Sequence, residues 1–305
     1  MSLDSSRWVE ISVQAETEAV DDLIGLFSRH CTGGAAVEDQ RRGPRWSENE
    51  RVVVKGFVDE GDEDTLRKLE IALLLLSRSA GISEPQTRVL EPADWAEAWK
   101  AFFPPLPIGQ SLVVVPTWLE HTPENGRRAL RLDPGMAFGT GLHATTRLCL
   151  EVLERVIEPG MDVLDVGTGS GILSIAALLL GAQHVDAIDT DPVSIRVARE
   201  NGVLNGVADR MRIVQATLPT LASGTVPVLQ SGPYDLLLVN ILAEVIIDMA
   251  PGFADYLRTE GRIVVSGIIA DKAAAVREAL NAHGLSVREE LEQDGWVAQV
   301  ASKVV

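Results

Sequence analysis

The sequence predicts an α/β protein of two domains: a small β-α-β-β-α-β unit, then a mostly parallel sheet closed by an antiparallel hairpin. Three observations predict it. Short strand and helix patterns alternate over the first 90 residues; a glycine loop joins a buried strand to a helix in LDVGTGSGIL; and the chain ends in two strands around Asp294-Gly295. Strands alternating with helices favour a parallel sheet, and an Asp-Gly pair between two strands is a strong hairpin signal.

In the first domain Trp8 to Val13 reads as a strand. Thr17 to His30 places Val20, Leu23, Ile24 and Phe27 at helical spacing, with Thr17 suited to cap the helix. Ala35 to Glu38 and Val52 to Val58 are two further strands, separated by a polar, Arg-rich loop from Gln40 to Arg51. Asp64 to Ser79 is a second helix and Thr87 to Leu90 a fourth strand. That order is the signature of a ferredoxin-like sandwich. Nothing in it is catalytic by residue type; a domain of this kind is expected to bind a partner.

From Pro92 to about Trp118 aromatics and prolines dominate (DWAEAWKAFFPPLPIGQSLVVVPTW). Pro104, Pro105 and Pro107 restrict the backbone to extended shapes, and the stretch reads as a connector. The domains expected are therefore 1–91, a linker over 92–120, and 121–305.

In the second domain MDVLDVG is a buried strand, followed by a helix from Ser170 to Leu180. HVDAID is the next strand, and Pro192 to Leu204 the next helix, with proline at a favoured first-turn position. MRIVQA, YDLLLVNIL and GRIVVSGI are three more strands. Helices run from about Ala243 to Leu257 and from Lys272 to His283 before the terminal hairpin, which brings the sheet to seven strands. Thr217 to Pro233 is a Pro- and Ser-containing insertion without an evident role.

Composition narrows the function. The formal net charge of −17 argues against broad contact with a nucleic-acid backbone, because such affinity rests on Lys and Arg. It suits a basic partner, and equally a protein that is acidic to stay dispersed. Two cysteines, Cys31 and Cys149, are too few for a disulfide framework, and no Cys/His spacing suggests a metal. The start, MSLDSSRWVEISVQ, is no signal peptide, and the apolar run Ile71 to Leu76 is too short to cross a bilayer, so a cytoplasmic location is expected.

The chemistry sits in the second domain. Gly167, Gly169 and Gly171 lie between strand and helix, where a ligand can approach bare amides at a positive helix end. A dinucleotide fingerprint needs G-x-G-x-x-G, but here Ile172 stands where the third glycine should be. G-x-G-x-G instead suits a single carboxylate, such as the methionine end of S-adenosylmethionine. Asp189, ending the next strand, is placed to accept hydrogen bonds from ribose hydroxyls, and Asp191 to cap the following helix. Asn240 ends YDLLLVN at the carboxyl edge of the sheet, where open α/β folds bind ligands. Its amide oxygen would hold an amine for methyl transfer; a mere turn former is the alternative. Together with the closing hairpin these residues predict a nucleoside-binding methyltransferase fold.

DPGMAFGTGLHATT, LDVGTGSGIL, IDTDP and VNIL, with the DWAEAWKAFFPPLPIG connector, resemble the ribosomal protein L-11 methyltransferases from about Asp94 to the end of the chain. The resemblance implies a ferredoxin-like substrate-recognition domain joined to a Rossmann-like catalytic domain. It implies S-adenosylmethionine-dependent methylation, without metal, of lysine ε-amines and the N-terminal α-amine of that basic ribosomal protein. The family's cofactor contacts fall on Thr146, Gly167, Asp189 and Asn240, with Gly169 in the same loop. The loop ahead of Thr146 looks like a cofactor lid in which Gly135, Gly139 and Gly141 bend and Phe138 covers the donor. His143 is read as bonding that loop to itself rather than as a base. The same cofactor site on an enzyme of RNA or of a small amine is the alternative; neither membrane nor direct nucleic-acid contact is expected.

Overall fold

The computed structural model describes residues 8–31, 35–38, 52–77, 81–90, 104–132, 143–218 and 232–304. The chain divides into two compact units, Met1–Pro104 and Pro105–Val305.

In the first unit, strand β1 (Trp8–Ala15), helix α1 (Thr17–His30), β2 (Ala35–Glu38), β3 (Val52–Asp59), α2 (Glu63–Ser77) and β4 (Gln86–Leu90) follow one another as the hydrophobic pattern requires. They form an antiparallel sheet of order β2-β3-β1-β4. Alternate residues of β1 (Val9, Ile11, Val13, Ala15) are buried with Leu23, Phe27, Leu69 and Leu73 from the helices. That is the period-two and period-3.6 match which makes such a layer pair.

The second unit begins inside the stretch expected as a connector. β5 (Leu106–Ile108) and β6 (Leu112–Pro116) pair antiparallel, and β6 pairs parallel with β7 (Arg128–Leu132). The five residues of β6, LVVVP, are all buried. The prolines enforce extended backbone, but the apolar run that follows them is β-branched and packs as a strand rather than crossing between domains. The turn between β5 and β6 is held from two sides. Glu154, on helix α3 (Ala144–Val156), accepts from the amides of Gln110, Ser111 and Leu112 at 2.8, 2.8 and 3.2 Å. Arg127 donates to the carbonyls of Ile108, Leu112 and Gly109 at 2.9, 2.7 and 2.8 Å. A further clamp holds β7, where the Asn205 side chain binds both the N–H and the C=O of Arg131 at 2.8 and 2.7 Å.

The main sheet has seven strands in the order β10-β9-β8-β11-β12-β14-β13. Their ranges are β8 (Asp162–Val166), β9 (His184–Asp189), β10 (Met211–Gln215), β11 (Tyr234–Asn240), β12 (Leu257–Ile269), β13 (Leu285–Gln293) and β14 (Trp296–Lys303). β8 to β12 run parallel; β14 lies antiparallel to β12 and closes the hairpin with β13. α4 (Ile172–Leu180), α5 (Pro192–Leu204), α6 (Ala243–Tyr256) and α7 (Ala273–Ala282) are the crossover helices, and one apolar core lies on each face of the sheet. The central strands carry consecutive buried residues, Val163–Val166 in β8 and Leu236–Val239 in β11, as a sheet covered on both faces requires. The edge strand β13 exposes Arg288, Glu290 and Glu292.

Glu154 satisfies three amides with one charge, so Glu154→Ala should lower the unfolding free energy by about 2–4 kcal/mol, and Glu154→Gln by less. Urea denaturation of the three proteins checks this, and an unchanged midpoint for Glu154→Ala would show that water replaces the carboxylate without loss.

Candidate active site

The strand ends, the glycine loop and the first turn of α3 meet at the carboxyl edge of the main sheet. β8 runs into Gly167, where the backbone turns at φ +76°. A Cβ built there would stand 2.5 Å from Cγ2 of Ile241, so only glycine lets the loop pass this close to the chain leaving β11. The amides of Gly167 and Thr168 both donate to the Ile188 carbonyl, at 2.8 and 3.0 Å, which ties the loop to β9. Gly171 then caps α4.

Beneath the loop sits Asp165, fully buried in the middle of LDVG. Its Oδ2 accepts from the hydroxyls of Thr168 at 2.7 Å and Ser174 at 2.5 Å. Burial pushes its pKa up to about 6; the two hydroxyls oppose that shift, and the nearby Asp189 adds to it. The sequence reading passed over this residue, although an acid inside an apolar strand is itself a signal.

Asp189 stands at the end of β9 as expected. Its Oδ2 accepts from Gly169 N at 2.9 Å and its Oδ1 from Asp191 N at 3.0 Å. Each carboxylate oxygen keeps a further lone pair for a ligand. Asp191 caps α5, accepting from Val193 and Ser194.

Asn240 ends β11 beside the first turn of α3. Its Nδ2 lies 3.5 Å from Oγ1 of Thr146, and its Oδ1 is buried with no hydrogen-bond partner among the described residues. A buried amide oxygen left without a donor costs about 1–3 kcal/mol, which an arriving N–H would recover. A turn-forming asparagine would have spent that oxygen on its own backbone.

The next residues are held by a contact sequence reasoning missed. Ile241 donates to the Ser266 carbonyl at 3.2 Å, and a Cβ on Gly267 (φ +85°) would lie 2.1 Å from the Ile241 carbonyl oxygen. The only signal was a glycine inside a strand pattern, a mark of close backbone approach. Leu242, after Ile241, is an exposed apolar residue.

His143 is the N-cap of α3, its Nδ1 accepting from Thr145 N at 3.3 Å and lying 2.8 Å from Thr145 Oγ1. Burial lowers its pKa by disfavouring the charged ring. The expected self-bonding histidine is thus a helix cap. Thr145 and Thr146 are both buried. Phe138 and the glycines Gly135, Gly139 and Gly141 fall outside the described residues. Cys149, buried on α3, has its thiol pushed up to about 12 by burial and takes no visible part.

The structure therefore gathers Thr146, Gly167, Gly169, Asp189 and Asn240 at one sheet edge. An unbonded amide oxygen, two lone pairs on an acid and a glycine loop at a helix start fit a ligand carrying a sugar, a carboxylate and a reacting centre.

Comparison with known proteins gives a concordant result. The family described as "Ribosomal protein L11 methyltransferase (PrmA)" matches residues 7–304. A ribosomal protein L11 methyltransferase of Symbiobacterium thermophilum is 43% identical over 312 residues, spanning 97% of this chain and 99% of the relative. One from Chloroflexus aurantiacus is 38% identical, spanning 98% of each. The crystal structure of a ribosomal protein L11 methylase from Lactobacillus delbrueckii subsp. bulgaricus superposes with a TM-score of 0.60 at 32% identity, covering 67% of this chain and all of the other.

Asp165 supplies a pH test. With its folded pKa near 6, above the ordinary value of about 4, its contribution to stability is full below pH 4 and is lost as pH rises through 6. Wild-type stability relative to Asp165→Asn should therefore fall across that window when urea midpoints are compared. Parallel curves would show that the carboxyl titrates normally.

Proposed function

The chain belongs to the ribosomal protein L11 methyltransferase family and is a methyltransferase, and we propose that it methylates lysine ε-amines and the N-terminal α-amine of ribosomal protein L11 from S-adenosylmethionine. The observation that carries the residue-level reading is Asn240: a buried amide oxygen without a partner among the described residues, beside the glycine loop, at the edge where this fold binds ligands.

S-adenosylmethionine, when bound, supplies a methyl group on a positively charged sulfur, already activated for displacement. The chain's own residues have a positioning task. Asp189 uses its free lone pairs on the ribose hydroxyls while its amide bonds keep it fixed to the loop. The loop around Gly167 and Gly169, whose own amides are bonded to Ile188 and Asp189, carries no Cβ and so lets the amino-acid carboxylate approach the positive start of α4. Thr146 anchors the Asn240 amide and lies where it meets the cofactor's polar end. Asn240 Oδ1 accepts an N–H of the incoming amine and so turns the nitrogen lone pair away from itself. Phe138 completes the cofactor site in our reading.

An amine must lose its proton before it can attack, and a lysine in water has a pKa of about 10.4. The apolar side chains of Ile241 and Leu242 at the mouth disfavour the charged form by desolvation, and so would a neighbouring cationic sulfur. No base on the chain is needed for this, and His143 is occupied as a cap. The first unit, by residues 1–91, chooses the substrate in this reading. An acidic chain, at −17, suits a basic ribosomal protein better than an RNA backbone. No helix among the described residues is long and apolar enough to cross a membrane, and work on a ribosomal protein places the enzyme in the cytoplasm in our proposal.

Incubation with methyl-labelled donor and, separately, L11, ribosomal RNA and free amines tests the substrate. Label should enter L11 alone; label in RNA or in the free amines would overturn the protein assignment. The rate should keep rising above pH 8, because the reacting fraction of the amine grows. A plateau set near neutrality would instead point to a titrating base on the enzyme. Asn240→Ala should lower kcat by about a hundredfold, the scale for losing one oriented polar group, with little change in thermal unfolding. An unaltered kcat would remove its role.

A further inference from the structure

The closing hairpin touches the active site through one ring. Trp296 opens β14 directly after the Asp294-Gly295 turn and pairs with Ile269 at the end of β12. Ala270 donates to the Gly295 carbonyl at 2.9 Å, so the start of β14 is pinned to the carboxyl edge of the sheet. From there the indole meets the His143 imidazole edge-on, with ring centroids 4.7 Å apart and planes at 69°. Edge-to-face contacts of this kind are attractive and directional. His143 in turn holds the start of α3 through the Thr145 amide and hydroxyl, and the next residue, Thr146, meets the Asn240 amide. For Nδ1 to accept the Thr145 amide it must carry no proton, so the ring hydrogen is on Nε2.

We propose that Trp296 is a positioning residue for methyl transfer: by packing against His143 it keeps the imidazole in the orientation that caps α3, and thereby holds Thr146 beside Asn240. This rests on the assignment of Thr146 and Asn240 to the transfer site. Without the indole the imidazole is free to turn toward solvent. The Thr145 amide then loses its partner, the first turn of α3 frays, and the Asn240 amide loses the hydroxyl that orients it. Trp296 itself is given no contact with substrate, so the loss should fall on kcat and spare KM.

The test uses the full-length protein and compares Trp296→Ala, Trp296→Phe, His143→Ala, His143→Asn and the Trp296→Ala/His143→Ala double variant. Trp296→Ala and His143→Ala should each lower kcat about tenfold, with KM for L11 within twofold of wild type. Trp296→Phe, which keeps an aromatic edge, and His143→Asn, which keeps a cap, should recover most of the rate. The double variant should stay at the tenfold loss, because each residue acts through the other; independent effects would multiply to about a hundredfold. A readout independent of turnover is amide exchange at Thr145 and Thr146, which should quicken in Trp296→Ala and stay slow in Trp296→Phe. Should Trp296→Ala fail to fold, Trp296→Leu takes its place with the same expectations. Multiplicative losses, a change in KM alone, or unaltered exchange in the truncated variant would each overturn the proposal. Wild-type protein that puts no label on L11 would sink the proposed reaction, and the exchange pattern would still decide the role of Trp296.

Discussion

The carboxylate of Asp165, buried below the glycine loop, is the interaction on which the site's geometry depends. It binds Thr168 in the loop and Ser174 in the first turn of α4, so one charge fixes the loop to the helix it opens. A buried charge is costly unless it is hydrogen-bonded, and the two short hydroxyl contacts are what make this one tolerable. The loop's own amides tie it to β9 as well, Gly167 and Thr168 through the Ile188 carbonyl. Gly169 N is taken by Asp189, which makes this strand-end acid part of the same framework.

The second determinant is steric. Gly167, Ile241 and Gly267 are stacked at distances that admit no Cβ on either glycine. The chain leaving β11 is thereby pressed between the glycine loop and β12, and Asn240 has little freedom in where it stands. Its amide nitrogen finds Thr146 while its oxygen has no partner among the described residues. The site is assembled from four different strand or helix ends, each fixed to a neighbour by hydrogen bonds of the backbone or of short side chains. Such mutual fixing is what a reaction governed by alignment requires.

Much of this was legible in the residues because local rules and the overall fold agree. Alternation in β1, the buried runs of β8 and β11, the proline at the start of α5 and the Asp-Gly hairpin each carry a mechanism that works without knowledge of distant contacts. Asp189 and Asn240 were readable for the same reason: a strand end in a parallel sheet is a known kind of place. The strands β5, β6 and β7 were not, since prolines beside a β-branched run describe a connector and an edge strand equally well. Their fate is decided by Glu154, Arg127 and Asn205, partners far along the chain or across the fold. Gly267 and Trp296 were hidden likewise, because their significance lies in atoms brought close only by folding.

The sheet's far border carries a further meaning. Among the described residues β13 has no strand partner on one side, and Arg288, Glu290 and Glu292 along it are exposed. A second copy sliding alongside would have to strip water from that row before its peptide groups could bond, and exposed charge of this sort discourages such joining. Charge along the last hairpin thus opposes growth of the sheet from molecule to molecule, while the other strand of the same hairpin carries its indole to the His143 ring.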